Sequence, residues 1–115
     1  MTATDLLIWG IVAHLIADWF LQTHEMARRK SNLRDLLAWS HGCWHFLVQV
    51  PVFGLLPAIL IAALHMLIDT RHPIRIWRIL MEQTKEGDVV MHMNFWQDQA
   101  LHILVIALVA RMVVA

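Results

Sequence analysis

The sequence holds one cysteine in 115 residues. Cys43 alone can form neither an intrachain disulfide nor a thiolate metal cluster. It lies two residues from both His41 and His45, which on a helix turns it away from their shared face, so inert packing is its expected role. Charge is scarce as well: nine Lys and Arg balance nine Asp and Glu, and together they are 16% of the chain. Zero net charge argues against a nucleic-acid binder that works through a basic surface. The opening residues Met1, Thr2, Ala3, Thr4 and Asp5 lack the positive region and small-residue cleavage site of a secretory signal, so the first apolar segment is expected to stay in the mature protein.

What the chain has in quantity is apolar surface. Hydrophobic residues are 59% of the sequence and the mean hydropathy is +0.58, too apolar for an ordinary soluble domain of this size. The expectation is one all-α integral membrane domain over 1–115, a polytopic bundle of four transmembrane helices at about 5–24, 34–51, 57–70 and 93–114. The first is close to the ~20 residues that cross a bilayer, with Thr2 or Thr4 as its cap. A polar loop follows at 24–32. The run 51–57, with Pro51, Gly54 and Pro57 and no charge, is expected to break the second helix and turn near the opposite face. The third helix is short and needs tilt or residues from the turn.

Between them, at about 74–83, Arg75, Arg78 and Glu82 share one narrow face while Ile74, Ile76, Trp77, Leu80 and Met81 cover the rest. That pattern suits a short amphipathic helix lying in the membrane interface, or equally one packed on the bundle. Lys85, Glu86, Gly87 and Asp88 read as a turn, and Asn94 with Gln97 as a capping box for the last helix.

With four crossings, the first and third loops share a side. They and their flanks hold Arg28, Arg29, Lys30, Arg34, Arg71, Arg75, Arg78 and Lys85, leaving only Arg111 elsewhere. In a bacterial inner membrane the positive-inside rule then puts these loops in the cytoplasm and both termini outside.

A polar ladder interrupts the apolar segments. His14, Asp18 and Gln22 are spaced by four, so on a helix they stack along one face about 6 Å apart. The same step recurs in His41 and His45, in His65 and Asp69, and in Asp98 and His102. On the four-helix topology all four pairs fall in the cytoplasmic half, an agreement that the spacing does not force, and therefore evidence for one shared centre.

Ionisable groups in hydrocarbon cost several kcal/mol each unless they satisfy one another or an ion. A divalent transition metal (zinc, iron or manganese) is the preferred occupant. Imidazole and carboxylate suit such ions, and an i, i+4 pair gives two ligands to one of them. The candidate ligands are His14, Asp18, His41, His45, His65, Asp69, Asp98 and His102, with Gln22 and Gln99 as their positioning partners. An open coordination position would make the protein a hydrolase, with Asp18, Asp69 or Asp98 as candidate general bases. Alternatives are polar glue between helices, a proton or ion path, disfavoured because the outer half has few polar groups, and a haem held by His41 or His45 with His102. His24, His72 and His92 are expected to be solvated, and the methionines to pack. The bilayer is the expected partner, and a bundle of this size can also pair with a second copy.

The run from His14 through Asp18 to Gln22 and Thr23, the following Met26-Ala27-x-x-Lys30, His41-Gly42-x-x-His45, His65-x-x-x-Asp69 and Asp98-Gln99-x-x-His102 resemble an uncharacterised family of short polytopic membrane proteins of bacteria and phages. The resemblance covers nearly the whole chain and implies an integral membrane protein of about four helices, with no activity attached. A looser similarity, to inner-membrane metal-dependent hydrolases that place His and Asp in membrane helices, implies no substrate.

Overall fold

The helix starts after Thr2, Thr23 and Asp35 follow side-chain oxygens placed where orphan backbone N–H groups need them. In the computed structural model, which describes residues 1–83 and 88–115 and gives only the backbone of 88–91, helix α1 (Ala3–Leu15) begins at Thr2. The Thr2 hydroxyl accepts from the Asp5 N–H at 3.1 Å, and the Asp5 carboxylate accepts from the Thr2 N–H at 2.8 Å. Asp35 caps α3 (Leu36–Phe53), its carboxylate accepting from the Leu37 N–H at 2.9 Å. Helices α4 (Leu55–Asp69), α5 (His72–Leu80) and α6 (Asp88–Val114) follow.

α1, α3, α4 and α6 close a ring: α1 packs on α3 and α6, and α4 packs on the same two. One end of the ring is apolar, where Leu6, Phe53, Ile61, Ile106, Val109 and Ala110 form a buried cluster. The other end buries His14, Asp18, His41, His45, His65, Asp69 and His102. Large apolar side chains lie outward instead: Trp9, Phe20, Leu36, Leu56 and Met112 are each more than half exposed.

Several boundaries differ from the sequence expectation. The first helix does not run regularly to residue 24: Ile16–Phe20 is a π-helical turn, marked by the Leu21 N–H donating to the Ile16 carbonyl at 3.1 Å, and the chain then leaves the helix. The expected polar loop at 24–32 contains a further helix, α2 (His24–Arg29), which packs against α3. Its signals are local: the Thr23 hydroxyl accepts from the Met26 N–H, and Glu25 pairs with Arg28 at 2.8 Å and Arg29 at 3.2 Å.

Pro51 does not end α3, which continues to Phe53. A proline so near a C-terminus forfeits one backbone bond, and the break comes at Gly54, whose φ of 84° is open to glycine and costly for other residues. Asn94 is not a cap, because α6 already runs from Asp88. Its side-chain oxygen instead accepts from Arg78 at 2.5 Å. The amphipathic helix ends at Leu80 rather than 83, and Glu82, expected on its polar face, lies beyond it at a φ of 52°. The expected turn at Lys85, Glu86 and Gly87 lies outside the described residues.

Among the described residues, two helical stretches are long and apolar enough to cross a membrane, Ala3–Phe20 and His92–Val114, and α4 with α5 would form a third only as a span bent by 58°.

Candidate metal centre

Each helix of the ring delivers its polar pair to one level. α3 runs antiparallel to α1 and α4, so the early His41 and His45 meet the late Asp18 and the late Asp69 with His65. Gly42 on α3 leaves room for the Met66 side chain of α4, which an added Cβ would meet. The π turn carries Asp18 inward, and such turns recur at functional sites.

The contacts converge on a small volume. Asp18 Oδ1 lies 2.9 Å from His45 Nε2, 3.1 Å from His41 Nε2 and 3.8 Å from His65 Nε2. His41 Nε2 and His65 Nε2 face each other at 3.1 Å. Asp69 Oδ2 is 2.8 Å from His65 Nε2 and 3.5 Å from His41 Nε2, and Asp69 Oδ1 is 3.5 Å from His102 Nε2. The rings also touch, with His45 stacked on His65 at a centroid separation of 3.4 Å and His41 edge-on to His45.

Among the described residues, two groups have ligand atoms mutually close enough to hold an ion: Asp18 with His41, His45 and His65, and His65 with Asp69 and His102. Around an ion with ligands at 2.0–2.1 Å, neighbouring donor atoms lie about 3.3 Å apart in a tetrahedron and about 2.9 Å apart in an octahedron. The Nε2 and Oδ separations bracket those values. Hydrogen bonding alone leaves much of this set unmet. Neither oxygen of Asp69, neither ring nitrogen of His102, and none of the Nδ1 atoms of His41, His45 and His65 has a hydrogen bond among the described residues. Asp69 Oδ2 is near His65 Nε2 without being aligned to accept from it. Buried polar atoms of native proteins are nearly always partnered, so close but misaligned donors fit ligands aimed at a common point.

The remaining expected residues frame the centre. His14 Nε2 lies 3.3 Å from Asp18 Oδ2 and 3.1 Å from Gln99 Oε1. Gln99 Nε2 lies 3.4 Å from Asp18 Oδ2 and 3.2 Å from Asp98 Oδ2, so it links the two carboxylates. Asp98, with its side chain 18% exposed, reaches His102 Nδ1 at 3.4 Å and stands at the edge. Gln22 turns back and donates to the Asp18 backbone carbonyl at 3.2 Å, bracing the π turn rather than a carboxylate. His24, His72 and His92 are exposed. Cys43, expected to pack, is exposed on the outer surface of α3.

Lys30 and Arg71 also border the centre, and a further buried polar residue, Gln49, lies one step beyond it. Gln49 is fully buried and donates to the Gly10 carbonyl at 2.9 Å. It lies four residues after His45, so the spacing that marks the other polar residues marks it too. Lys30 Nζ lies 3.8 Å from Asp69 Oδ1, bringing the basic segment after α2 over the centre. Arg71, in the left-handed conformation at a φ of 68° between α4 and α5, lines a cleft of about 320 Å³ that also touches Asp18, Lys30, Asp69, Asp98 and Gln99. No periodicity identifies Lys30 or Arg71.

No curated protein and no solved structure matches the chain. A family model covers residues 6–115, from the first turns of α1 through all four polar pairs. The chain therefore belongs to the family described as a protein of unknown function, DUF3307.

Proposed function

We propose that this chain is an integral membrane protein of four spans, α1, α3, α4 and α6, whose cytoplasmic-side centre binds one or two divalent metal ions and hydrolyses a bond in a substrate that reaches it from the membrane. The observation that carries this reading is the convergence of Asp18, His41, His45, His65, Asp69 and His102 from all four helices, with buried donor atoms left unpaired by hydrogen bonds.

Membrane placement is supported by the inversion of the surface, in which histidines and aspartates fill one end of the interior while large apolar side chains lie outside. α3 has 18 residues, a length of about 27 Å, and its polar His41, His45 and Gln49 are all buried. α4, with 15 residues, reaches about 22 Å and needs tilt or the bent continuation into α5 to span.

One ion sits best among Asp18, His41, His45 and His65. His65 Nε2 also faces Asp69, so a second ion held by Asp69 and His102 would compete for that nitrogen. A divalent ion so held supplies Lewis acidity and lets water act as a nucleophile at neutral pH. Asp98, partly exposed at the cleft and steadied by Gln99 and His102, is placed to take a proton from the water side. Asp18 and Asp69 are too enclosed by histidines to serve that role as readily.

A second reading has its own support: Asp18 accepts from His45 at 2.9 Å and Gln99 reaches both Asp18 and Asp98. Such bonds would let the same residues act as a non-enzymatic polar clasp between helices. Elemental analysis of detergent-purified protein, with His45→Ala alongside, separates the two. Stoichiometric zinc, iron or manganese that falls sharply in a folded variant supports the metal centre. Absence of metal after reconstitution with each of the three overturns it and leaves the clasp.

A further inference from the structure

The centre opens on one side into the cleft of about 320 Å³, whose lining includes Lys30, Arg71, Asp98, Gln99 and Ile74. A second, mostly apolar groove lies between α5 and α6, lined by Pro73, Ile74, Trp77, Ala100, Leu101 and Leu104. Ile74, itself buried, lines both, so a polar chamber and an apolar channel meet at one side chain. The Arg71 guanidinium has no hydrogen bond or ion pair among the described residues, although it stands at the mouth of a chamber with three aspartates.

Charge decides what fits the chamber. Asp18, Asp69 and Asp98 outnumber Lys30 and Arg71 by one, and a divalent ion reverses the balance to one positive charge. The loaded chamber therefore favours an anion, and the uncharged groove favours a hydrocarbon chain. Arginine with lysine and a metal ion is a donor set suited to phosphate oxygens.

We infer that the ligand of this site is a membrane lipid with an anionic phosphate headgroup, the phosphate held between the metal centre, Lys30 and Arg71 and one acyl chain lying along Ala100, Leu101 and Leu104. This rests on the metal centre proposed above and names the class of molecule it acts on. α5 fits the same arrangement: its apolar Ile74 and Trp77 face the groove, while Arg75 lies exposed.

The test uses the full chain in maltoside micelles, loaded with zinc, with metal content measured on every sample. Binding of dioleoyl phosphatidic acid, dioleoyl phosphatidylcholine and inorganic phosphate is compared for the parent, Arg71→Gln and Ala100→Trp. Phosphatidic acid should bind at least about tenfold more tightly than phosphatidylcholine, and Arg71→Gln should erase most of that preference, the loss of one charge-assisted contact, with zinc content unchanged. Ala100→Trp, which fills the groove, should weaken both lipids and leave inorganic phosphate unaffected.

Equal affinity for the two lipids in zinc-loaded protein overturns the inference, as does a preference that survives Arg71→Gln. So does inorganic phosphate binding as tightly as the lipid, or lipid affinity unmoved by Ala100→Trp. Protein that takes up no metal sinks the metal centre and this inference together. Zinc-loaded protein without the phosphate preference sinks this inference alone.

Discussion

His41 on α3 and His65 on α4 point their Nε2 atoms at each other across 3.1 Å. A hydrogen bond there satisfies one nitrogen with the other, whereas a shared ion uses both lone pairs and also explains why Asp18 and Asp69 crowd the same point. The two cases separate in a conservative replacement. His65→Gln keeps a hydrogen-bonding group but gives a poorer ligand, so metal content should fall by more than half while circular dichroism and the detergent elution profile stay as in the parent. Full retention of metal would remove His65 from the ligand set.

Metal loading should also be sensitive to acid. Histidine ligates as neutral imidazole and aspartate as carboxylate, so each bound ion displaces protons and affinity falls as pH drops. Release is expected as the pH falls through and below about 6.5, the ordinary imidazole range, with no loss on the alkaline side. An ion that binds only the folded chain should, at a hundredfold excess over Kd, add about 2.7 kcal/mol of stability. Thermal unfolding in detergent at about pH 7.5 with and without a chelator reads this directly. A melting temperature indifferent to the chelator in protein of verified metal content would show that the ion does not hold the bundle together.

The centre was legible because helix periodicity is written in single residues: His14 to Asp18, His41 to His45, His65 to Asp69 and Asp98 to His102 each encode one face. Burial of Gln49 followed the same code at one further step. The π turn at Ile16–Phe20 had no such mark, since an extra residue in a turn is selected by the packing it permits around Asp18, and Gln22 consequently changed partner. Helix periodicity could not tie Lys30 and Arg71 to the site for a related reason, as they come from segments that only the closed ring brings over Asp69 and the cleft. Pro51 misled because its effect depends on how much helix follows it, and here only Val52 and Phe53 do.

Away from the histidine cluster, the apolar end packs the Ile106 and Phe53 side chains directly over Gly10. A Cβ added to Gly10 would stand 2.6 Å from Ile106 Cγ2 and 2.9 Å from Phe53 Cε2, both in the buried cluster. Gly10→Ala should therefore destabilise the bundle by about 1–3 kcal/mol, the usual cost of overpacking a filled core. Gln49→Leu removes the bond to the Gly10 carbonyl and should cost about 0.6–1.7 kcal/mol, the range for interhelical hydrogen bonds in membranes. Reversible unfolding in mixed micelles measures both. A Gly10→Ala variant as stable as the parent would mean that the Ile106 and Phe53 side chains can move aside without loss.

Orientation gives the test with the clearest sign. Lys30 reaches Asp69 and Arg78 reaches Asn94, so the basic segments after α1 and after α4 both gather at the end of the ring that holds the histidines. Arg111 stands alone near the C-terminus, among the residues that follow the apolar cluster. If that asymmetry sets topology, the basic end faces the cytoplasm. In a Cys43→Ala background, Ser31→Cys in intact spheroplasts should resist a membrane-impermeant maleimide and react once the membrane is opened, while Ala115→Cys should react from outside at once. Labelling of both positions from the same side would require an even number of crossings between them, against the three that α3, α4 and α6 supply. Labelling of Ser31→Cys from outside alone would invert the bundle and put the metal centre in the outer half of the bilayer.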